Sequence, residues 1–405
     1  MSEHDERARL RTRAHHPMQP VAWDVPDGVT DVSLVPEAPA DHAPRLSVAV
    51  CTYNRYDLLP DAIDSLLKQD CEPDFLDIIV VDNSPDQVAA GTFSKRYGSE
   101  PRIRYILEPV PGLSNARNHA ASLARADLIA FIDDDAIAAP DWAARIVQAF
   151  ETTGKRAAVV GGRVLPRWVS PRPTWLNDDL LKYLTIVDWG GRCRELPAHQ
   201  WLAGCNIAFD KRALAAVGGF STALGRMGSG LSLLSNDETD VMHKIRTTGG
   251  GLLYCPDALV EHVIDPARLN HNWFRRRAAW QAVSEFIRDP ERTSAYAPAA
   301  AEHMRLLLKD GRRESPMGFF GRVEDPNEFK HDVALVYDLM IATLAGGAEV
   351  DPARGLGTVA GLKAKGIGTM RLAAQKSPRF RRMLHLALRA RETLSKRPWR
   401  SVYGS

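Results

Sequence analysis

Four short apolar runs, three of which end in clusters of polar residues, constrain the fold of this chain more than any other feature of its sequence. They lie at 46–51, 77–82, 103–107 and 128–132. Helical patterns of apolar residues at 57–68 and 114–126 separate some of these runs. Parallel strands need a crossover of this kind, which is usually a helix. The pattern therefore predicts an α/β fold with an open sheet flanked by helices.

Polar side chains stand where three of the four predicted strands end. They are Thr52, Tyr53, Asn54 and Arg55 after the first strand, Asp82 and Asn83 at the end of the second, and Asp133, Asp134 and Asp135 after the fourth. Open α/β sheets bind their ligands at the carboxyl ends of the strands. We therefore predict a binding site at this edge.

The three consecutive aspartates, Asp133 to Asp135, follow the most hydrophobic predicted strand. Carboxylates this close together repel one another unless a cation binds between them. Hard oxygen ligands suit Mg²⁺ or Mn²⁺, and the phosphates of a substrate complete the coordination of such an ion. The alternative is that one aspartate caps the helix that begins near Asp141, but three exceed that need. The motif predicts a metal site.

The composition is that of a globular protein, with 45% hydrophobic and 25% charged residues among 405. Residues 1–16 lack the apolar centre of a signal peptide. The longest apolar stretch, Val333–Ala345, is shorter than the roughly 20 residues that cross a bilayer. We therefore expect a cytoplasmic protein whose membrane contact is at most peripheral.

The cysteines are odd in number and scattered, and none has the Cys-x-x-Cys spacing of a zinc knuckle. They are Cys51, Cys71, Cys193, Cys205 and Cys255. This pattern argues against a disulfide framework, so we expect reduced and mostly buried thiols.

Four ordered motifs resemble those of the family 2 glycosyltransferases of the GT-A fold, over about residues 46–285. They are Cys51-Thr-Tyr-Asn-Arg55, Val80-Val-Asp-Asn-Ser84, Pro111-Gly-Leu-Ser-Asn-Ala-Arg-Asn118 and Asp133-Asp-Asp135. The resemblance implies a Rossmann-like open mixed sheet flanked by helices, with a helical C-terminal extension. It implies that a nucleotide-sugar donor is bound by Thr52, Tyr53, Asn54, Arg55, Asp82, Asn115, Arg117, Asp133 and Asp134.

Two of these assignments have simpler alternatives. Asp82 can accept hydrogen bonds from a base or a ribose hydroxyl, or merely cap a turn with Asn83 and Ser84. Arg117 adds charge complementary to phosphate, or is a surface residue of its helix. Gly112, before that helix, supplies a tight turn and free backbone N–H groups.

An acidic segment, Asn236–Val241, opens another predicted helix. An inverting transfer needs a carboxylate to deprotonate the acceptor hydroxyl. The segment resembles the Glu-Asp pair of the family, whose second acid is usually the base; that position is Glu238, with Asp237 as the other candidate. The order here is Asp-Glu, which leaves the base uncertain by one residue. A capping box at the helix start is the alternative.

His262 ends a predicted strand, and the resemblance makes it the third metal ligand after Asp133 and Asp135. Without the resemblance, a lone histidine is more often structural.

Asn206 can bind a sugar hydroxyl or satisfy backbone groups. The segment from Arg268 to Trp280 is basic and aromatic, which suits a diphosphate or an acceptor. The Gln-x-x-Arg-Trp motif of processive members is absent, which argues against polymer extrusion.

The C-terminal region is strongly basic, with twelve Lys or Arg residues and a single acid, Glu392, between Lys363 and Arg400. It could form an amphipathic helix on anionic lipid or a solvated basic helix. Nucleic acid is not an expected partner, because no known nucleic-acid module accompanies the charge. We expect a flexible arm at 1–44, a catalytic domain at 45–290, and a mainly helical extension with a basic tail at 291–405.

Together these patterns predict a metal-dependent, inverting glycosyltransferase that uses a nucleoside diphosphate sugar, with UDP as the favoured carrier. The acceptor is a glycan, a lipid-linked molecule or a small molecule. One alternative is a nucleotide-sugar nucleotidyltransferase, but residues 52–55 lack the Gly-rich basic loop that such an enzyme carries after its first strand. The other alternative is a non-catalytic sugar- or lipid-binding module.

Overall fold

A computed structural model describes residues 43–84, 87–152, 157–227, 233–309 and 323–345. The described chain is built around one mixed sheet of nine strands. The strands are β1 (Leu46–Thr52), β2 (Leu76–Asp82), β3 (Ile103–Leu107), β4 (Leu128–Asp133), β5 (Ala136–Ala138), β6 (Ala157–Trp168), β7 (Arg194–Glu195), β8 (Ile207–Asp210) and β9 (Gly251–Ile264). Their order in the sheet is β3-β2-β1-β4-β8-β6-β9-β5, with β7 paired to β9.

Helices cover the sheet and extend beyond it. They are α1 (Leu59–Leu67), α2 (Gln87–Tyr97), α3 (Leu113–Leu123), α4 (Trp142–Thr152), α5 (Lys211–Ala216), α6 (Asp237–Thr247), α7 (His271–Arg288), α8 (Pro290–Lys309) and α9 (Pro326–Ala345). In the described residues, short 3₁₀ turns lie at Pro73–Phe75, Asp178–Leu184 and Pro266–Arg268.

The first half of the sheet is parallel, as the sequence predicted. Strand β1 pairs in parallel with both β2 and β4. In this register Thr52 lies beside Asp82, and Cys51 lies beside Asp133. Every residue of β2 is buried, because helices cover both faces of a parallel sheet. The strand ends therefore meet at one edge, and the predicted α/β fold is confirmed.

The second half of the sheet mixes directions. Strand β8 is antiparallel to both β4 and β6, whereas β6 runs parallel to β9. Gly162 allows the backbone of β6 to approach β9 closely, since a Cβ there would stand 1.7 Å from the carbonyl oxygen of Ala258. The antiparallel β5–β9 pair places Ala136 opposite His262. This pairing brings the histidine to the aspartates that precede β5.

A second hydrophobic core lies beside the sheet, between its C-terminal helices and the Asp178–Leu184 turn. Trp175, Phe274 and Phe329 meet there edge to face, with ring centroids 5.0 to 6.1 Å apart. Within the same layer, the buried Arg275 of α7 pairs with Asp332 of α9 at 3.1 Å. The predicted C-terminal helices are therefore present, and α7 packs with them. The expected arm lies almost entirely, and the basic tail wholly, outside the described residues.

The expectation of five reduced thiols is wrong for one pair. Cys193 and Cys255 form a disulfide, with Cα atoms 4.2 Å apart, whereas Cys51, Cys71 and Cys205 are free. The antiparallel β7–β9 register, in which Arg194 faces Tyr254, brings the two cysteines opposite each other. Their positions are 62 residues apart in the chain, so their spacing gave no sign of this pairing.

No helix in the described part of the chain combines the length and apolarity needed to cross a membrane.

Candidate active site

The aspartates after β4 lie in three different environments. Asp134 and Asp135 are buried, while about a third (35%) of the Asp133 side chain is exposed. Asp134 accepts a hydrogen bond of 2.8 Å from the Thr52 hydroxyl. Arg55 contacts both buried acids, with its Nη1 2.7 Å from Asp135 Oδ2 and 3.3 Å from Asp134 Oδ1. Thr52 and Arg55 therefore contact the aspartates directly, and the ends of β1 and β4 lie together.

The two buried aspartates have opposite pKa shifts. Burial, together with the neighbouring Asp135, raises the pKa of Asp134 to about 7. Burial acts on Asp135 in the same direction, but His262, Arg268 and Arg55 hold its pKa well below the usual range. Asp135 is therefore the stable anion at the centre of this edge.

His262 is buried and oriented by two contacts. Its Nδ1 lies 2.8 Å from the carbonyl oxygen of Leu184, and its Nε2 lies 3.2 Å from Asp135 Oδ1. A carbonyl oxygen can only accept, so Nδ1 carries a proton. The Nε2 atom is then left facing a carboxylate, and either a second proton or a cation must lie between them. Backbone anchoring of the far nitrogen is the usual support of a histidine that binds a metal.

The chemistry of this donor pair fits a divalent cation. Carboxylate oxygen and imidazole nitrogen are both ligands of Mn²⁺, and Asp135 and His262 are already adjacent. Asp133, the other predicted ligand, is directed towards Arg117 instead, at 3.3 Å. Within the described ranges no group of three or more His, Cys, Asp or Glu side chains is arranged as a metal site. A cation held by this pair would complete its coordination with water and substrate phosphate oxygens.

Asp82 is anchored by two tyrosines that the sequence reasoning missed. Tyr56 donates to its Oδ2 at 2.6 Å, and Tyr105 donates to the same oxygen. The backbone N–H of Ser84 donates to Oδ1 at 2.9 Å, so the turn-capping contact is present. Tyr105 stands in β3 and points to the neighbouring strand, an arrangement that its sequence position alone does not give.

The loop before α3 is tied to the end of β2 by Asn83. The Asn83 side-chain amide donates to the carbonyls of Glu108 and Val110, and its oxygen accepts from the Gly112 N–H at 2.7 Å. Gly112 has φ +134°, which only glycine adopts readily. Asn115, in the first turn of α3, is partly exposed and bonds to Pro111.

Two further predicted nucleotide residues, Tyr53 and Asn54, stand at the rim of the site. Tyr53 is half-buried and Asn54 is exposed. The backbone of Asn54 is left-handed, with φ 54°, and its N–H donates to the Ser84 hydroxyl at 2.7 Å.

Arg117 is buried in the centre of the site, so the alternative of a surface helix residue is wrong. Only 3% of its side chain is exposed, and its Nη1 lies 2.6 Å from Asp237 Oδ2. Its Nη2 lies 3.3 Å from Asp133 Oδ1 and donates to the Gly204 carbonyl at 3.2 Å. Arg117 therefore joins the acids after β4 to the acids that begin α6.

The acids at the start of α6 form an unequal pair. Burial and the adjacent Asp237 raise the pKa of Glu238 to about 8. Burial acts in the same direction on Asp237, but Arg117 lowers the pKa of that carboxyl below its ordinary value. Asn236 precedes them in a left-handed conformation, φ 70°, and makes no side-chain cap, so the capping-box alternative is not present. Asp237 is thus the fixed anion, and Glu238 is the acid that titrates near neutral pH.

Asn206 has a structural role that the sequence left open. It is fully buried, and its Oδ1 accepts from the Trp142 indole at 2.8 Å. Its amide group donates to the carbonyls of Arg163 and Ala258 at 2.9 and 2.8 Å. With these contacts Asn206 holds β6, β9 and α4 together behind the site.

The ends of β1, β2 and β4 meet the acidic start of α6 at one edge, where open α/β sheets bind their ligands. The family model described as "Glycosyl transferase family 2" matches residues 47–192. A glucosyl-dolichyl phosphate glucuronosyltransferase of Haloferax volcanii is 30% identical over 270 residues, which cover 66% of this chain and 82% of that protein. The succinoglycan biosynthesis protein ExoM of Rhizobium meliloti is 26% identical over 248 residues, 58% of this chain and 71% of that protein.

The chain therefore belongs to glycosyl transferase family 2 and is a glycosyltransferase. Its open mixed sheet with C-terminal helices is the architecture expected of the GT-A fold. Among solved structures, the mannosyltransferase PcManGT from Pyrobaculum calidifontis, in complex with GDP-Man and Mn²⁺, is similar at 20% identity and a TM-score of 0.43, covering 90% of this chain and 88% of that chain.

Proposed function

We propose that this glycosyltransferase moves a sugar from a nucleoside diphosphate donor to an acceptor hydroxyl, with inversion at the sugar carbon and with a divalent metal ion. The observation that carries the proposal is the buried bridge of Arg117 between Asp133 and Asp237. This bridge connects two parts of the site. One is the acidic edge after β4, which suits a metal and a diphosphate. The other is the acidic start of α6, which suits proton abstraction. An inverting transfer needs both groups in one site.

The nucleotide is proposed to lie across the ends of β1 and β2. Asp82 and the backbone of the Asn54 turn border the base and ribose, and Arg55 and Arg117 add positive charge near the phosphates. UDP is the favoured carrier. Asp135 and His262 would hold Mg²⁺ or Mn²⁺, which when bound offsets the charge of the departing diphosphate.

Glu238 is the proposed general base. Its carboxyl is mostly buried, with 15% of the side chain exposed, and lies 4.0 Å from Arg117. Its raised pKa matches the task, because a base works best when its pKa is near the working pH. Asp237 is already paired with Arg117 at 2.6 Å and serves to hold that arginine in place. The acceptor proton therefore passes to Glu238 as the hydroxyl oxygen bonds to the sugar carbon.

The acceptor is proposed to be lipid-linked. The relative from Haloferax volcanii is named for transfer to a glucosyl-dolichyl phosphate, and it matches along most of its length. We further propose a cytoplasmic protein that reaches such an acceptor by peripheral contact, with the basic residues between Lys363 and Arg400 facing anionic lipid. The two alternative functions were a nucleotidyltransferase and a non-catalytic binding module. Family membership favours sugar transfer over both of them.

The first test is a thermal-shift panel of nucleoside diphosphates with and without Mn²⁺, followed by donor hydrolysis with the sugar form of the best ligand. We expect one nucleotide to raise the melting temperature, and more so with Mn²⁺, because only the folded protein binds it. We also expect slow Mn²⁺-dependent release of that nucleotide from its sugar donor. A panel in which no diphosphate stabilises the protein would contradict the proposal.

A further inference from the structure

Three arginines stand beside the site, each on a different segment of the chain. Arg226 stands in the loop before α6, Arg268 ends the Pro266–Arg268 turn, and Arg277 lies in α7. The backbone carbonyl of Arg226 accepts from the Leu113 N–H at 2.9 Å, which fixes its loop beside the start of α3. The charges of Arg268 and Arg277 both act on the Arg226 guanidinium, so three separate segments bring their guanidinium groups to the same region.

Two of these arginines also contact groups of the site. Arg268 Nη2 lies 3.2 Å from Asp135 Oδ2. Arg277 donates to the hydroxyl of Ser235 at 3.2 Å, and Ser235 stands just before the start of α6. Arg277 also donates to Gln281, in its own helix, at 3.0 Å. The cluster thus extends from the proposed metal pair to the proposed base.

Arg226 differs from the other two. Among the described residues, none forms a hydrogen bond or an ion pair with its guanidinium. Burial, Arg268 and Arg277 lower the pKa of Arg226 to about 9, and Asp135 and Asp133 only partly oppose this. Burial also lowers the pKa of Arg277. Positive charge this concentrated and only partly neutralised is unfavourable unless an anion binds to it.

We propose that Arg226, Arg268 and Arg277 together form a binding site for a phosphate group of a substrate. Planar guanidinium groups from three directions suit the several oxygens of a phosphate. The inference rests on the proposed function, in which both substrates carry phosphate. The phosphate can come from the donor diphosphate or from a phosphate-linked acceptor, and the two sources are separable by binding.

The test is calorimetry of the full chain with two pairs of probes, without metal. UDP is compared with uridine, and citronellyl phosphate in detergent is compared with citronellol. The Arg226→Ala variant should lose at least about tenfold in affinity for one or both phosphate probes, the expected effect of removing a charge-assisted hydrogen bond. The variant should bind uridine and citronellol, which lack phosphate, as tightly as the parent protein does. Arg226→Lys should retain part of the affinity, because it keeps the charge.

Arg212 on α5 offers a matched control, because 85% of its side chain is exposed. Arg212→Ala should bind all four probes like the parent protein. Arg226→Ala should melt at the same temperature as the parent or higher, since it removes a crowded charge; a merely structural arginine would give a lower temperature.

A loss for UDP alone assigns the cluster to the donor, and a loss for citronellyl phosphate alone assigns it to the acceptor. Unchanged affinity for both phosphates in a folded Arg226→Ala protein would overturn the inference. Failure of the proposed function is a separate result, in which the parent protein transfers no sugar although phosphate binding still depends on Arg226.

Discussion

Arg117 Nη1 lies 2.6 Å from Asp237 Oδ2, and this contact fixes the start of α6 against α3 in the interior of the protein. Both side chains are only 3% exposed. The same guanidinium packs over the rings of Phe131 and Phe220, with its central carbon 5.9 and 5.4 Å from the ring centroids. Because so many contacts hold this buried guanidinium, Arg117 both positions the start of α6 and stabilises the fold.

The first prediction concerns the bridge itself. Arg117→Met should lower the free energy of unfolding by about 3–5 kcal/mol and abolish transfer, because it leaves Asp237 buried without its partner. Adding Asp237→Asn should restore part of the stability, since the unpaired charge is then gone. Urea unfolding of both single variants and the double variant measures the coupling. Strictly additive losses would show that the two residues do not stabilise each other.

The sequence predicted the parallel half of the sheet well, because its strands are short, mostly apolar runs, three of which end in polar clusters. It did not predict that Cys193 faces Cys255, since that contact depends on the register of two strands that are distant in the chain. Arg226 was missed for a similar reason. Nothing next to it in the sequence is unusual, and only the fold brings it near Arg268 and Arg277.

The second prediction tests the proposed metal pair. Asp135→Asn keeps the shape of the side chain but removes the charge that His262, Arg55 and Arg268 share. Transfer should be lost, and the extra nucleotide affinity that Mn²⁺ confers should fall at least about tenfold. Isothermal calorimetry with and without Mn²⁺ checks this.

The control for that variant is Asp141→Asn, a change in an aspartate whose side chain is 45% exposed. It should leave the effect of Mn²⁺ unchanged. An Asp135→Asn protein that keeps full turnover and full dependence on Mn²⁺ would remove Asp135 from the site.

The third prediction separates a structural residue from the catalytic ones. Asn206→Ala should lower the free energy of unfolding by about 2–4 kcal/mol, because it leaves the Trp142 indole N–H and two carbonyls unpaired in the interior. The KM values of the folded protein should stay within about twofold of the parent. Asn115→Ala, at a partly exposed position, should cost less than about 0.5 kcal/mol. A raised donor KM without lost stability would instead make Asn206 a sugar-binding residue.

The last prediction follows from the pKa of Glu238, raised to about 8 by burial and Asp237. The ionised form is needed in a base, and this pKa is that of the free enzyme, so kcat/KM should rise with pH up to about 8 and then level off. Stability should change in the opposite direction. A glutamate in the unfolded chain has a pKa of about 4.3, so between about pH 5 and 8 the folded protein holds the extra proton and its free energy of unfolding falls as pH rises.

Glu238→Gln tests both halves of this argument, because glutamine can neither accept the proton nor become charged. It should lower kcat at least about a hundredfold and, at pH 8, raise the free energy of unfolding by at least about 1 kcal/mol over the parent, with a smaller gain at pH 5. Glu261→Gln, at a position in β9 that is 48% exposed, should change neither quantity. Parallel pH profiles of stability for the parent and Glu238→Gln would show that this carboxyl is already ionised at neutral pH. The raised pKa would then give no reason to assign the proton-accepting role to Glu238 rather than to Asp237.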